Sequence, residues 1–253
     1  MSMRSWFITG TVLAMLLAND AVAANPTPRF KAVAFDYFVI FNANSIVPEV
    51  DRVFPGKGLE FTTAWRIKQF DYCFLRSLTG DYADFSQITA DSLDYTAAQM
   101  QLQLTPENRT HLLNAFLNLT PWPDVVPALQ QLKAAGVRII ALSNLTPTQL
   151  RANADHAGLT NLFDDFVATD VNRSFKPEPR AYELEMTTLH LKKDEICFAA
   201  FGGWDAYGAK RFGYTTVWVN RFNLPEEKLG TSPDLTTSKL DSLVNFILRP
   251  SPR

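Results

Sequence analysis

Cysteine and histidine are scarce in this chain, at two and three residues among 253. Cys73 lies in the aromatic, helix-like stretch Phe70 to Phe74, and Cys197 lies in the apolar run Ile196 to Phe198. Neither has the spacing of a zinc site or the neighbours of a catalytic thiol, so both read as small buried hydrophobes and no metal site is expected. There is no basic run, no interleaving of basic and aromatic residues and no acidic tail, which removes nucleic acid as a partner. Repeats and low-complexity tracts are absent too. Beyond the first two dozen residues, no apolar run is long enough to cross a bilayer.

What is present begins with the N-terminus. Met1 to Arg4 carries one positive charge, Trp6 to Ala18 is almost wholly apolar, and Ala21-Val22-Ala23-Ala24 offers the small residues a signal peptidase requires. Residues 1–24 therefore read as a signal peptide, cleaved to give a periplasmic or secreted protein with no stable membrane span. The remainder has ordinary globular composition, with 47% hydrophobic residues, 20% charged residues and a net charge of -2.

Five short apolar runs have the character of strands buried on both faces: Phe30 to Phe38, Val137 to Leu142, Phe166 to Ala168, Ile196 to Phe201 and Thr216 to Val219. Between them, Val125 to Ala135, Pro147 to Ala157, Arg180 to Leu191 and Ala206 to Phe212 repeat apolar residues at helical spacing, three of them stopping at a glycine. This alternation predicts an α/β protein with a doubly wound parallel sheet. Val47 to Leu119 breaks the rhythm, with amphipathic helical patterns and no strand, and Pro121-Trp122-Pro123 closes it as a stiff return. The expected organisation is a core of residues 25–46 and 120–253 with an all-helical cap, 47–119, inserted over the carboxyl ends of the strands. The tail after Arg221 shows little periodicity, and its end is expected to be loose.

Polar residues stand at the ends of these strands: Asp36 after the first, Ser143-Asn144 after the second, Lys176 beyond the third, and Gly202-Gly203-Trp204-Asp205 after the fourth. A parallel sheet gathers such ends into one crevice. A carboxylate there attacks carbon or phosphorus to form an ester. A lysine lowers its pKa, hydroxyl and amide groups hold a substrate carboxylate, and a second acid activates water. Asp36 is thus the expected nucleophile and Asp205 the partner of the hydrolytic water.

The order of these residues resembles the haloacid dehalogenase superfamily, and the wider pattern is similar to its type II (S)-2-haloacid dehalogenase branch. That pattern comprises Phe54 to Gly58, Trp65-Arg66, Leu75 to Leu78, Leu142 to Asn144, His156 to Leu159, Lys176-Pro177 to Tyr182, and Trp204-Asp205-Ala206 to Arg221. The resemblance implies a Rossmann-like core with a helical cap, and hydrolysis of small (S)-2-haloacids to (R)-2-hydroxyacids through an aspartyl ester, without metal or other cofactor. It implies Asp36 as nucleophile, Arg66 as halide binder, Ser143 as carboxylate binder and Asn144 as a halide or carboxylate contact. Lys176 and Tyr182 would support the nucleophile, Asp205 would lie near the water, and Phe85 and Trp204 would wall the pocket. The family often forms homodimers.

Two stretches depart from the pattern. Asp36 is followed by Tyr37-Phe38-Val39-Ile40, without the family's glycine and threonine, and Ala200 to Gly203 stands where two serines and an asparagine are usual. Backbone N–H groups of Gly202 and Gly203 are the candidate replacements, since glycine admits close approach. A catalytically silent carboxylate-binding protein is the alternative reading. A phosphatase ranks below both, because Phe38 occupies the position of the acid that protonates a phosphate's leaving group.

Overall fold

A computed structural model describes residues 28–249. The expected signal segment, 1–24, and the last four residues lie outside the described residues. Strands β1 (Ala32–Phe35), β2 (Phe41–Asn42), β3 (Thr120–Pro121), β4 (Arg138–Ser143), β5 (Asp165–Ala168), β6 (Ile196–Ala200), β7 (Thr215–Val219) and β8 (Leu235–Thr237) alternate with helices. These helices are α1 (Tyr37–Ile40), α2 (Val47–Val53), α3 (Gly58–Thr79), α4 (Phe85–Gln99), α5 (Pro106–Ala115), α6 (Val125–Ala134), α7 (Pro147–His156), α8 (Pro179–Leu189), α9 (Gly203–Phe212) and α10 (Leu240–Leu248).

The main sheet is wholly parallel, in the order β5-β4-β1-β6-β7-β8. β1 is central and pairs with both neighbours, Phe35 standing between Ala141 and Ala199. The two-residue period of the strands divides their side chains between two cores. Val33, Phe35, Ile139, Ala141, Cys197 and Val217 face Leu129, Leu132, Leu150 and Leu243. Ala32, Ala34, Ile140, Leu142, Phe198 and Trp218 face Tyr182, Leu189, Ala206 and Ala209 of α8 and α9. Both cysteines are free and buried. The expected helix stops at Gly136 and Gly158 are present, at φ +77° and +67°, where a side chain would be strained.

α2 to α5 are the helical excursion. α3 runs for 22 residues, beginning at Gly58 and stopping at Gly80 (φ +70°). It packs against α2 and α4, and its Trp65 is fully buried with Nε1 donating to Thr89 O (3.0 Å) and Ser92 Oγ (3.1 Å). The chain leaves and re-enters the core through one antiparallel ladder, Phe41 opposite Pro121 and Asn42 opposite Thr120. Trp122 fastens this return, its N donating to Ile40 O and its Nε1 to Phe38 O. Among the described residues, no helix is long and apolar enough to cross a membrane.

The first strand stops at Phe35, directly before Asp36 as expected, although the apolar run continues to Phe38. Asp36 Oδ1 accepts from Phe38 N (2.7 Å) and so caps the single turn α1, and the local hydrogen bond overrides the strand preference of the aromatic residues. The stretch after Arg221 is not merely loose. It supplies β8, paired with β7, and α10, whose Leu240, Leu243, Val244 and Ile247 are buried against α6 and β7.

Candidate active site

Asp36 sits at the carboxyl end of the central strand, with its carboxylate turned back by the cap on α1. It is buried, and Oδ2 accepts from Lys176 Nζ at 2.7 Å. Lys176 lies beyond the edge strand β5 and reaches across the end of β4, donating also to Leu142 O (3.1 Å) and Asp205 Oδ2 (2.9 Å). One ammonium thus bridges two buried carboxylates, with all three of its donors committed. Asp205 belongs to the first turn of α9, where its charge faces the positive end of the helix dipole. Its other oxygen accepts from Tyr182 Oη at 2.7 Å.

The charges of this cluster follow from its contacts. Burial would raise Asp36, but the Lys176 charge and the hydrogen bonds from Lys176 and Phe38 outweigh it and hold the carboxyl below its usual range. Burial dominates at Asp205, and the Asp36 charge adds to it, pushing Asp205 up to about 7 against the opposing pull of Lys176. Burial would strip Lys176 of its proton, but the two acids raise it instead. The arrangement is an ionised Asp36 beside an acid poised near neutrality, the combination required by a nucleophile and a general base.

Ser143 and Asn144 end β4, both buried. Ser143 Oγ accepts from Leu145 N (3.1 Å), which leaves its own hydroxyl proton to donate. Asn144 Oδ1 accepts from Lys176 N (2.8 Å), which fixes the amide so that Nδ2 is buried without a protein partner. An orphaned buried donor of this kind is a place for an acceptor on a ligand.

Arg66 enters from α3. Its guanidinium lies 3.9 Å from the centroid of the Phe38 ring and 4.9 Å from that of Phe70, and Nη1 donates to Gln69 Oε1 (2.9 Å). Burial lowers its pKa to about 10, against the opposing attraction of Asp36, so it stays charged at neutral pH. Trp204 packs tilted against Phe70 and edge-on against Phe74 (5.2 and 5.4 Å between ring centroids). A Cβ on Gly202 would stand 2.6 Å from Trp204 Nε1, so the indole edge fills the space a side chain at 202 would take. Phe85 is fully buried in the main core at the start of α4 and does not line the cavity beside Arg66.

Sequence reasoning missed three participants, and it read Phe38 only as the residue in place of a phosphatase's acid. Gln69 steers Arg66, and Phe38 is the ring beneath it. Gly208 is required because a Cβ there would lie 2.5 Å from Tyr182 Oη and from Pro177 Cβ. Glu185, one turn after Tyr182, is fully buried with neither oxygen paired. Only Gly208 left a trace in the sequence, as a small residue within a helix three positions after Asp205. Among the described residues, no group of three or more His, Cys, Asp or Glu side chains forms a metal cage.

The profile of the family described as haloacid dehalogenase-like hydrolase matches residues 9–213. The chain is 38% identical to an (S)-2-haloacid dehalogenase of Pseudomonas sp. (strain YL), over 85% of this chain and 94% of that protein. It is 34% identical to haloacetate dehalogenase H-2 of Moraxella sp. (strain B), over 87% and 98%. Its fold is similar to the L-2-haloacid dehalogenase of Xanthobacter autotrophicus solved with chloropropionic acid covalently bound (TM-score 0.81, 32% identity, covering 86% of this chain and 98% of that one). With the strand-end acids, the bridging lysine and the helical excursion all in place, this chain belongs to the haloacid dehalogenase-like hydrolase family.

Proposed function

We propose that this protein hydrolyses (S)-2-haloacids to (R)-2-hydroxyacids through an ester on Asp36. The observation that carries the reading is Lys176 Nζ bridging Asp36 and Asp205 at 2.7 and 2.9 Å, with a phenylalanine at position 38. The relatives named as dehalogenases support it. So does the Xanthobacter enzyme with its covalently bound acid.

Each step has a group to perform it. Ser143 Oγ and Asn144 Nδ2 hold the substrate carboxylate. The Asp36 carboxylate attacks C2 from the side opposite the halogen, forming a C–O bond as the carbon–halogen bond breaks, and the configuration inverts. The halide departs toward the Arg66 guanidinium. Water then attacks the ester carbonyl of Asp36 and gives its proton to Asp205. Phe38 N–H and the Lys176 ammonium stabilise the oxyanion; collapse breaks the bond from the carbonyl carbon to the ester oxygen, the departing alkoxide takes the proton from Asp205 to give the 2-hydroxyacid, and Asp36 returns to the carboxylate as the water's second proton leaves to solvent. Phe38 gives no proton to a phosphate's leaving group, which disfavours phosphatase chemistry.

Halide release from (S)-2-chloropropionate is the test, with Asp36→Asn abolishing it. In a single turnover in H₂¹⁸O, the label should enter Asp36 before it reaches product. No halide from chloro-, bromo- or fluoro-acids would overturn the reading, and binding of 2-hydroxyacids without turnover would favour a silent carboxylate-binding protein. Export belongs to the same proposal: residues 1–24 would direct it, and the N-terminal sequence of protein from a periplasmic fraction would show the cut. Leu75 and Leu78, exposed on α3, fit a homodimer, which light scattering would detect.

A further inference from the structure

α1 is a single helical turn, too short to hold itself together. Its shape is imposed from its two ends. At the front, Asp36 caps it by accepting from Phe38 N. At the back, the carbonyls of Phe38, Val39 and Ile40 have no helical partners. Each takes a donor from a distant part of the chain instead. Trp122 Nε1 donates to Phe38 O (3.1 Å), Trp122 N to Ile40 O (2.9 Å) and Arg221 Nη2 to Val39 O (3.1 Å).

Arg221 is fixed in turn. It follows β7, and its side chain is only 6% exposed. Nη1 donates to Asp124 Oδ2 (2.7 Å) and to Ser238 O (3.3 Å), and the guanidinium lies 5.1 Å from the centroid of a Trp122 ring. The same Asp124 oxygen accepts from Leu240 N (2.9 Å). One planar fork therefore joins the turn after the nucleophile to the chain's return from the helical excursion and to the starts of α6 and α10. A lysine offers a single nitrogen in place of two that point at different partners. The ion pair with Asp124 would be enough to anchor the C-terminal elements. The bond to Val39 O reaches inward, to a residue three after the nucleophile. The turn it holds presents both the carboxylate that attacks C2 and the N–H that faces the oxyanion.

We propose that Arg221 and Trp122 are positioning residues for both chemical steps, closing the back of α1 and so fixing the aim of the Asp36 carboxylate and of the Phe38 N–H. The inference rests on the dehalogenase reading and adds to it two residues that act through α1. A misplacement of about 1 Å in a reacting group costs about a hundredfold in rate.

The test separates turnover from binding, because Ser143 and Asn144, which hold the substrate carboxylate, end β4 outside this clamp. With (S)-2-chloropropionate, Arg221→Ala should lower kcat per folded molecule about a hundredfold and Arg221→Lys about tenfold, while KM and the affinity for (R)-lactate stay within about twofold. Millimolar guanidinium should restore much of the lost kcat to Arg221→Ala, and urea, similar in shape but uncharged, should not. Trp122→Phe keeps a ring beside Arg221 and removes the Nε1 donor. It should lower kcat about tenfold with affinity intact, and it carries the test where Arg221 variants fail to fold. Parental kcat in the folded variants would overturn the proposal. So would a loss carried by KM and lactate affinity, or rescue by urea equal to that by guanidinium. Halide from none of the proteins, the parent included, would overturn the dehalogenase reading instead.

Discussion

Glu185 gives a prediction that can be worked through from its surroundings. The side chain is fully buried and neither oxygen has a hydrogen-bond partner. The nearby Tyr214 hydroxyl is already committed, donating to Tyr182 O at 2.8 Å. Burial holds the carboxyl well above its ordinary 4.5, outweighing the attraction of Lys176, so it is folded as the neutral acid. In the unfolded chain it ionises normally. The folded state therefore binds the extra proton, and stability falls as pH rises from about 4.5 toward the raised folded value, at up to about 1.4 kcal/mol per pH unit. Glu185→Met keeps the volume and removes the proton. Measured by urea denaturation from pH 5 to pH 7, the stability of the variant minus that of the parent should grow by about 2 kcal/mol, reaching up to about 2.8. Asp36 and Asp205 titrate in both proteins, so their contribution cancels in the difference to first order. A difference that stays constant across this range would refute the reasoning, because it would mean that Glu185 is ionised in the folded protein.

Three further outcomes are expected. Lys176→Met should abolish halide release and cost about 3–5 kcal/mol at pH 8, where two buried carboxylates lose their common cation, with part of the loss recovered below pH 5 as the pair takes up a proton; denaturation at both pH values measures it. Hydrolysis of the preformed ester should rise about tenfold per pH unit and then level, because Asp205 must be ionised to accept a proton, and the limb should end below pH 7, because the ester removes the Asp36 charge that helps push Asp205 up to about 7 in the free protein. Alkylation should be flat over the same range, since Asp36 is held low, and rapid-quench kinetics separate the two steps. Gly208→Ala should push Tyr182 Oη off Asp205, slowing ester hydrolysis and moving its acid limb to higher pH, an effect that Tyr182→Phe should reproduce.

Much of this site is written plainly in the sequence. Apolar runs ending in Asp36, Ser143 and Gly202-Gly203 announce themselves because strands buried on both faces have no polar residues until their ends. The cap is legible as a loss of rhythm between positions 47 and 119. What escaped depends on three-dimensional neighbours. Nothing local in Gln69 says that it holds Arg66, and nothing in Phe38 says that a guanidinium lies over its ring. Gly202 reads as a lost side chain, whereas in the fold its vacancy is filled by the indole of Trp204. α10 was readable from its i, i+3, i+4, i+7 pattern, Leu240, Leu243, Val244 and Ile247. The polar, aperiodic stretch before it obscures the pattern.

The ladder of Phe41–Asn42 with Thr120–Pro121 has a consequence for the chain as a polymer. The helical excursion begins and ends at hydrogen-bonding distance, so it adds no net displacement to the path of the core. Loop-closure entropy grows only with the logarithm of loop length, and here the stem of the loop is already zipped by backbone bonds. The stretch between its feet is therefore nearly free to change in length and content while the sheet stays as it is. A family built this way can exchange the roof over its nucleophile without refolding the floor.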